Sequence, residues 1–243
     1  MDLLTSLVAY WKLDETSGTR NDAHSTNHLS DNNTVTSAAG KQSNAAEFVA
    51  TNSEYLSISD NANLSTGDVD FTIAGWFYLA SKTLGRDLVM KWGTSGNFEY
   101  ALVYNDSSDR FEFYVSSTGS NAVGAVGDNL GSPSTATWYF IVAYHDSVGD
   151  VIGISINNGA ANTTAYSLGV FNSSADFALG TRLPTISNYH DGRIDETGFW
   201  KRVLNSSERG VLFNNGNGMT YPFSAPRRKG LSVNQAPHRA SNF

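Results

Sequence analysis

Cysteine is absent from this sequence of 243 residues, and charged residues are scarce at 16%. A chain without cysteine can form no disulfide bond, no cysteine-ligated zinc site and no thiol nucleophile. The charged fraction is well below the roughly 25% of ordinary soluble domains. The polar surface must therefore come mainly from Asn, Ser, Thr and Gly, which favour turns and strands over helices.

Long apolar runs are absent as well. No stretch approaches the ~18 apolar residues of a membrane-spanning helix, so the sequence predicts no membrane span. Residues 1–6 are not a basic segment followed by an apolar one, so they do not form a secretory leader. For a protein that works outside cells we would then expect a leader that has been removed, another export route, or release by lysis, which is the route that virion proteins take.

The formal net charge is −7, so the chain as a whole has no electrostatic reason to bind nucleic acid. The charge is distributed unevenly, because residues 223–243 carry +4 and the remainder carries −11. The basic residues of this segment are Arg227, Arg228, Lys229 and Arg239. The sequence predicts one folded domain over residues 1–222 and an extended basic arm over residues 223–243 that contacts a partner through these four side chains.

Many short runs of apolar and β-branched residues alternate with turn residues. This pattern is typical of an all-β fold, and we expect a two-sheet antiparallel sandwich with one short C-terminal helix, for which the family resemblance described below implies the jelly-roll topology. Residues 45–49 and 55–58 are expected to pair as a hairpin, 165–170 to form a strand, and 19–44 to be a long loop with at most one short strand. The helix should begin at Asn205, since Asn205 and Glu208 have the spacing of a capping box.

Five segments carry a family resemblance: LVAYWKLDETSG at 7–18, GKQSNAAEF at 40–48, DFTIAGW at 70–76, TWYFIV at 137–142 and GRIDETGFWKRVL at 192–204. In this order they resemble the laminin-G-like jelly rolls of the concanavalin A-like lectin/glucanase superfamily. The resemblance covers roughly residues 7–221 and implies the jelly-roll fold. It implies little about function, because this fold carries lectins, glycosidases, adhesion modules and scaffolds.

Catalytic motifs are missing. Glycosidases of this superfamily resemble one another in a Glu-x-Asp-x-x-Glu strand, which places two carboxylates about 5–5.5 Å apart for retaining hydrolysis. The acidic residues Asp191, Asp195 and Glu196 have a different order and interval. Gly-x-Ser-x-Gly, P-loop and His-Glu-x-x-His motifs are also missing, so we expect a protein that is not an enzyme.

The same resemblance implies a structural Ca²⁺ ion held by Asp195 on the family's closing strand. Ca²⁺ takes roughly 6–8 oxygen ligands, and a rim where strand ends meet loops supplies backbone carbonyls. Asp14 would lie nearby if the first and last strands pair, as they do in such folds. The alternative is that Asp195 caps a loop or pairs with a basic side chain.

Two loops combine aromatic and polar residues in the way that carbohydrate sites do. One loop contains Trp92, and the other contains Tyr189, His190 and Asp191. We expect these four residues to contact a glycan. The alternative is that the rings pack in the core, as we expect for the four tryptophans that lie within strands.

These observations favour a non-catalytic structural or decoration protein of a virion, in particular of a phage, at the virion surface or otherwise extracellular. Its partners would be other virion proteins or a second copy, reached through the arm, together with surface glycans. The alternative is a free-standing carbohydrate-binding module or lectin. A laminarinase-like glycosidase is a third class, which the missing carboxylate pair disfavours.

Overall fold

The structure is a computed structural model that describes residues 2–184 and 187–223. Of the predicted arm only Phe223 falls within these ranges, so Arg227, Arg228, Lys229 and Arg239 lie outside the described residues. Fifteen strands and one α-helix follow one another along the described chain. They are β1 (Leu7–Trp11), β2 (Ser30–Asn32), β3 (Thr36–Ala39), β4 (Asn44–Phe48), β5 (Tyr55–Ile58), β6 (Phe71–Leu79), β7 (Arg86–Trp92), β8 (Phe98–Asn105), β9 (Arg110–Val115), β10 (Val123–Val126), β11 (Trp138–Asp146), β12 (Val151–Ile156), β13 (Asn162–Ala165), β14 (Phe177–Leu179), β15 (Gly192–Trp200) and α1 (Ser206–Phe213).

The strands form two antiparallel sheets that share one hydrophobic core, as the sequence predicts for a jelly-roll sandwich. One sheet has eight strands in the order β13-β12-β11-β6-β15-β4-β3, with β1 paired beside β15. The other sheet has seven strands in the order β10-β9-β8-β7-β14-β5-β2. The sandwich therefore has one inner layer and two outer faces.

Alternation along the strands directs one set of side chains between the two sheets. In β6, Phe71, Ile73 and Phe77 belong to the core between the sheets, whereas Trp76 belongs to a cluster on the outer face. Almost every residue of β6 is buried, because both faces of this strand are covered. Burying a large apolar side chain contributes about 1.5–3 kcal/mol, so the packing of the sheets is the main source of stability.

Helix α1 covers the outer face of the eight-stranded sheet. It begins with the predicted capping box, in which Asn205 and Glu208 each accept a hydrogen bond from the other's backbone N–H. Leu212 is buried, and Phe213 stacks on Trp76 with ring centroids 5.8 Å apart. Within residues 2–184 and 187–223, no helix is both long and apolar enough to cross a lipid bilayer.

Three expectations about the connections are wrong. β4 and β5 do not form a hairpin, because β4 pairs with β3 and β15 whereas β5 lies in the other sheet, between β2 and β14. A short 3-10 turn at Ala50–Asn52 carries the chain from one sheet to the other. Residues 19–44 contain two strands, β2 and β3, and the strand predicted over 165–170 is displaced to β13, which ends at Ala165.

Candidate functional site

A groove lies on the outer face of the seven-stranded sheet, which no described helix covers. The groove follows β7 and β8 and has a volume of about 300 Å³. Three small residues line it between larger ones: Gly85 just before β7, Ala101 on β8 and Ala122 just before β10. Because β7 runs along the groove, Asp87 near its start and Trp92 at its end place different chemistry at the two ends.

The aromatic end of the groove is built around Trp92, the last residue of β7. The indole stacks on Phe98 with ring centroids 4.5 Å apart and planes 8° apart, and Tyr114 packs beside it at 6.5 Å. Trp92 is only 8% exposed, so it presents a small part of its ring to the groove. The residue therefore packs in a surface cluster and lines the groove at the same time.

A buried carboxylate holds Tyr114 in place. The Tyr114 hydroxyl donates a hydrogen bond to Glu112, which also accepts hydrogen bonds from the Asn105 side chain at 2.8 Å and the Ser108 hydroxyl at 2.6 Å. Burial and the Glu112 carboxylate raise the pKa of Tyr114 to about 12, so the hydroxyl remains a donor. These charge-assisted hydrogen bonds fix the orientation of the phenol ring beside the groove.

The polar end of the groove contains Asp87, Asp106 and Asn188. Asp87 is buried, and its Oδ2 accepts a hydrogen bond from the backbone N–H of Arg182 at 3.1 Å. Burial raises the pKa of Asp87 to about 7, although the neighbouring Arg182 acts in the opposite direction. Asp106 and Asn188 converge over Gly85, where an added Cβ would lie 3.4 Å from Asp106 Oδ1 and 3.7 Å from Asn188 Nδ2.

Of the four residues predicted to contact a glycan, only Trp92 lies in this groove. Tyr189 and Asp191 line a neighbouring hollow of about 380 Å³, which adjoins the groove because Asn188 lines both. His190 is fully buried against an aromatic ring of β4, and burial lowers its pKa to about 3. The structure therefore corrects the expectation for His190, since a neutral core residue does not contact a ligand at the surface.

A second candidate site lies on the outer face of the eight-stranded sheet, where a β-bulge interrupts β15. The pairing of β15 with β6 advances three residues from Asp195 to Gly198, whereas β6 advances only two. Glu196 takes up the extra residue with a φ of 46°. Consecutive side chains on a regular strand point to opposite faces, but this bulge brings Asp195 and Glu196 together.

The oxygens of this acidic pair are only partly hydrogen-bonded. Asp195 Oδ2 accepts hydrogen bonds at 2.6 and 3.0 Å from two consecutive backbone N–H groups in the β3–β4 turn, but Oδ1 is buried without a partner. Both oxygens of Glu196 are also buried without a hydrogen bond of normal geometry, although the hydroxyls of Thr220 and Tyr10 lie close enough to act against the rise in its pKa. Burial, together with repulsion between neighbouring carboxylates, raises the pKa of Asp195 to about 7 and that of Glu196 to about 8.

Asp14 lies near this pair but already has partners. β1 pairs with β15 as predicted, and Asp14 follows β1. Its Oδ1 accepts a hydrogen bond from the Asn44 backbone at 3.2 Å, and its Oδ2 pairs with Lys12 at 3.0 Å. Among the described residues, no three acidic, His or Cys side chains form a group that could hold a metal ion. The structure thus places Asp14 close enough to raise the pKa values of Asp195 and Glu196, and its own oxygens are engaged by Asn44 and Lys12.

A family model of the concanavalin A-like lectin/glucanases superfamily matches residues 50–208, about two thirds of the chain. The chain belongs to this superfamily. The match runs from just before β5 into α1 and includes both the groove and the acidic pair. No curated protein sequence matches the chain.

Solved structures share the superfamily jelly roll at low sequence identity. The binding domain of Paraclostridial Mosquitocidal Protein 1 is 16% identical, with a TM-score of 0.70, over 88% of this chain and 53% of that chain. Domain 4 of AbnA, an extracellular arabinanase from Geobacillus stearothermophilus, is 15% identical, with a TM-score of 0.64, over 88% of this chain and 98% of that one. The binding domain of botulinum neurotoxin serotype D is 10% identical, with a TM-score of 0.66, over 86% and 51%. The chain therefore spans about half the length of the two toxin domains.

Proposed function

We propose that this domain is a non-catalytic, lectin-like module that binds carbohydrate in the groove of the seven-stranded sheet. The observation that carries the proposal is the placement of Trp92 and Tyr114 at one end of the groove and Asp87 at the other. A sugar ring has apolar C–H faces and a rim of hydroxyl groups. A groove that joins aromatic surface to a few polar groups suits both.

The size of the site favours an oligosaccharide over a single sugar. The groove of about 300 Å³ adjoins the hollow of about 380 Å³ at Asn188. Tyr189 and Asp191 in the hollow could then contact a second sugar unit while Trp92 contacts the first. This arrangement would give the predicted residues Tyr189 and Asp191 a role beside Trp92, without His190.

Structural neighbours support a binding role. Domain 4 of AbnA was solved in complex with arabinotriose, and the binding domain of botulinum neurotoxin DC in complex with SialylT. The toxin neighbours are themselves binding domains. The shared jelly roll therefore favours binding over catalysis for this chain, while its own groove residues decide the ligand.

Glycan-array screening followed by isothermal titration calorimetry tests the proposal. Trp92→Ala and Tyr114→Ala should each weaken binding of an oligosaccharide by about tenfold or more, because each removes aromatic surface from the groove. Trp138→Ala is the matched control, since Trp138 is half-buried on the other sheet against Tyr78. Wild-type protein that binds no glycan, or groove variants that bind as tightly as the control, would overturn carbohydrate binding here.

We also propose that the acidic pair holds a hard cation such as Ca²⁺ in a stabilising role, as the family resemblance implies for Asp195. The donor atoms fit, because all are oxygens and Asp195 Oδ1 and both Glu196 oxygens are buried without partners. Two carboxylates do not complete a shell of roughly 6–8 oxygens, so hydroxyl, carbonyl or water oxygens would supply the rest. The ion would neutralise two buried negative charges.

Thermal unfolding in EDTA and in CaCl2 tests this second proposal. Ca²⁺ should raise the Tm of the wild type by about 4 °C or more, because an ion that binds only the folded state stabilises it. Glu196→Gln should abolish the increase, whereas Glu47→Gln, which changes a surface acid paired with Arg193, should retain it. An equal Tm in both solutions would rule out the ion.

We propose, finally, that the domain is displayed on a virion, in particular a phage particle, through the basic arm of residues 223–243. The charge asymmetry supports this role, since +4 on the arm suits an acidic surface of another protein or of a second copy. Replacing Arg227, Arg228, Lys229 and Arg239 by glutamine should abolish incorporation into particles and leave glycan binding intact. Normal incorporation of this variant would exclude the arm as the anchor.

A further inference from the structure

The charges of the groove bear on the class of sugar that it selects. The lining contains two acids, Asp87 and Asp106, and one base, Arg182. Behind Tyr114, the buried Glu112 adds a carboxylate whose hydrogen bonds come only from neutral groups among the described residues. The groove is therefore net negative, within a domain whose residues 1–222 carry −11.

The basic residues at the polar end already have partners within the protein. Arg182 Nε donates to the Ser187 hydroxyl at 2.9 Å. Arg86 is buried and donates to a backbone carbonyl of the β14–β15 loop at 3.1 Å. Lys82 pairs with Asp109 at 2.6 Å. None of the described residues accepts a hydrogen bond from the Nη groups of Arg182, so Arg182 is the one cation of the lining that an anionic sugar could reach, against the two carboxylates of Asp87 and Asp106.

Asp87 is the acid that a sugar would meet deepest in the groove. Its side chain is 4% exposed, its Oδ2 accepts from the Arg182 N–H, and none of the described residues donates to its Oδ1. Above its pKa of about 7, Asp87 is mostly ionised, and an ionised carboxylate only accepts hydrogen bonds, so it binds hydroxyl donors through charge-assisted bonds. A carboxylate or sulfate on the ligand would offer no proton there and would be repelled in surroundings that screen charge poorly.

We propose that the groove selects uncharged oligosaccharides over sialylated, uronic-acid or sulfated ones, with Asp87 as the residue that determines this specificity. The inference rests on the carbohydrate binding proposed above. Asp106 extends the same selection to the rim of the groove, where its exposed carboxylate faces Asn188 across Gly85.

Calorimetric titration with matched neutral and sialylated oligosaccharides, at a pH about one unit above the pKa of Asp87, tests the inference. The neutral member of each pair should bind wild-type protein about tenfold more tightly or better. Asp87→Asn keeps the shape of the side chain and removes its charge, so it should weaken neutral binding and reduce the preference to about threefold or less. Asp106→Asn should change the preference in the same direction by a smaller factor.

Asp150→Asn is the matched control for these variants. Asp150 is an exposed residue of the β11–β12 turn, outside the groove, with a φ of 53° that asparagine tolerates. It should keep the wild-type affinities. If Asp87→Asn does not fold, the exposed Asp106→Asn and the wild-type preference still decide the question.

The outcomes separate this inference from the proposed function. Wild-type protein that binds neither member of any pair would refute carbohydrate binding itself. Binding that Trp92→Ala weakens, with equal or tighter affinity for the sialylated member, would overturn the charge selection and leave carbohydrate binding in place. A preference unchanged in both Asp87→Asn and Asp106→Asn would show that these acids do not determine it.

Discussion

Two buried acidic clusters of this jelly roll differ in that only one encloses a cation of its own. In the first, Lys91 and Glu99 are fully buried, and Lys91 Nζ lies 3.1 Å from Glu99 and 2.7 Å from Asp60. In the second, Asp195 and Glu196 have no basic partner among the described residues, and three of their oxygens have no hydrogen bond. The buried negative charge is therefore compensated by a basic side chain in the first cluster and by none of the described residues in the second.

In the first cluster, both Lys91 and Glu99 have hydrogen-bond partners in addition to each other. Lys91 Nζ also donates to the carbonyls of Ser173 and Ala175 at 2.8 and 2.9 Å. Glu99 accepts hydrogen bonds from the backbone and hydroxyl groups of Thr66 and Ser173. A buried charge is tolerated only when it is both neutralised and hydrogen-bonded. The protein therefore neutralises one buried acid with its own lysine, whereas the charge of the other pair must be neutralised by a proton or by a cation from solution.

The largest effect is expected from Lys91→Met, which removes the internal cation. It should lower the free energy of unfolding by about 3–5 kcal/mol, because Glu99 is left buried and unpaired. Urea denaturation measures the change, with Lys201→Met as control, since Lys201 is exposed and donates to a single backbone carbonyl. A loss below about 1 kcal/mol would contradict the prediction, because it would mean that Glu99 can be buried without a neighbouring cation.

Asp87 is an intermediate case, with one backbone donor and a nearby Arg182. Its pKa is about 7 in the fold against 3.8 for the free side chain. Between these values the folded state retains a proton that the unfolded state has lost, so the free energy of unfolding falls as the pH rises and levels off above about 7. Asp87→Asn should remove a fall on the order of 2–4 kcal/mol. Denaturation of both proteins across this pH range measures it, and a pH-independent difference between them would contradict the prediction.

Removing a charge from the pair of Asp195 and Glu196 should raise the free energy of unfolding, whereas removing the charge of Lys91 should lower it. In EDTA, above the pKa of about 8 of Glu196, Glu196→Gln is expected to raise the free energy of unfolding. The gain should be about 1–3 kcal/mol, because the change removes an uncompensated buried charge. Urea denaturation measures it, with Glu47→Gln as the surface control. A destabilisation like that of Lys91→Met would show that Glu196 depends on a partner as Glu99 does.

The smallest effect is expected at the partly exposed ion pair of Lys12 and Asp14, whose side chains are 37% and 29% exposed. Lys12→Met should lower the free energy of unfolding by less than about 1 kcal/mol, since solvent screens the pair. Denaturation at low and high salt measures this loss and its expected decrease with salt. A loss above about 2 kcal/mol would contradict this prediction. It would indicate that Lys12 also compensates the negative charge of Asp195 and Glu196 from a distance.

The groove and the acidic pair could be predicted only in part. Trp92 stands out in the sequence because it is an aromatic residue beside a polar run, although the structure places it at the end of β7 rather than in a loop. Asp87 and Tyr114 lie on separate strands and meet only through the pairing of β7, β8 and β9. Asp195 is suggested by the family's closing strand. Its partner Glu196 is missed, because regular alternation would place the two side chains on opposite faces and only the bulge reverses this.

The amino-acid sequence was enough to predict the all-β class and the helix that begins at Asn205, because alternation, turn residues and a capping box are interactions between neighbours in the chain. The jelly-roll topology was implied by the family resemblance of five segments rather than by these local patterns. The tertiary structure alone decided which outer face stays open, where the bulge falls, which histidine is buried and which buried acid has a cation. These depend on strand register and on contacts between residues far apart in the chain, such as Lys91 with Asp60 or Asp195 with the β3–β4 turn.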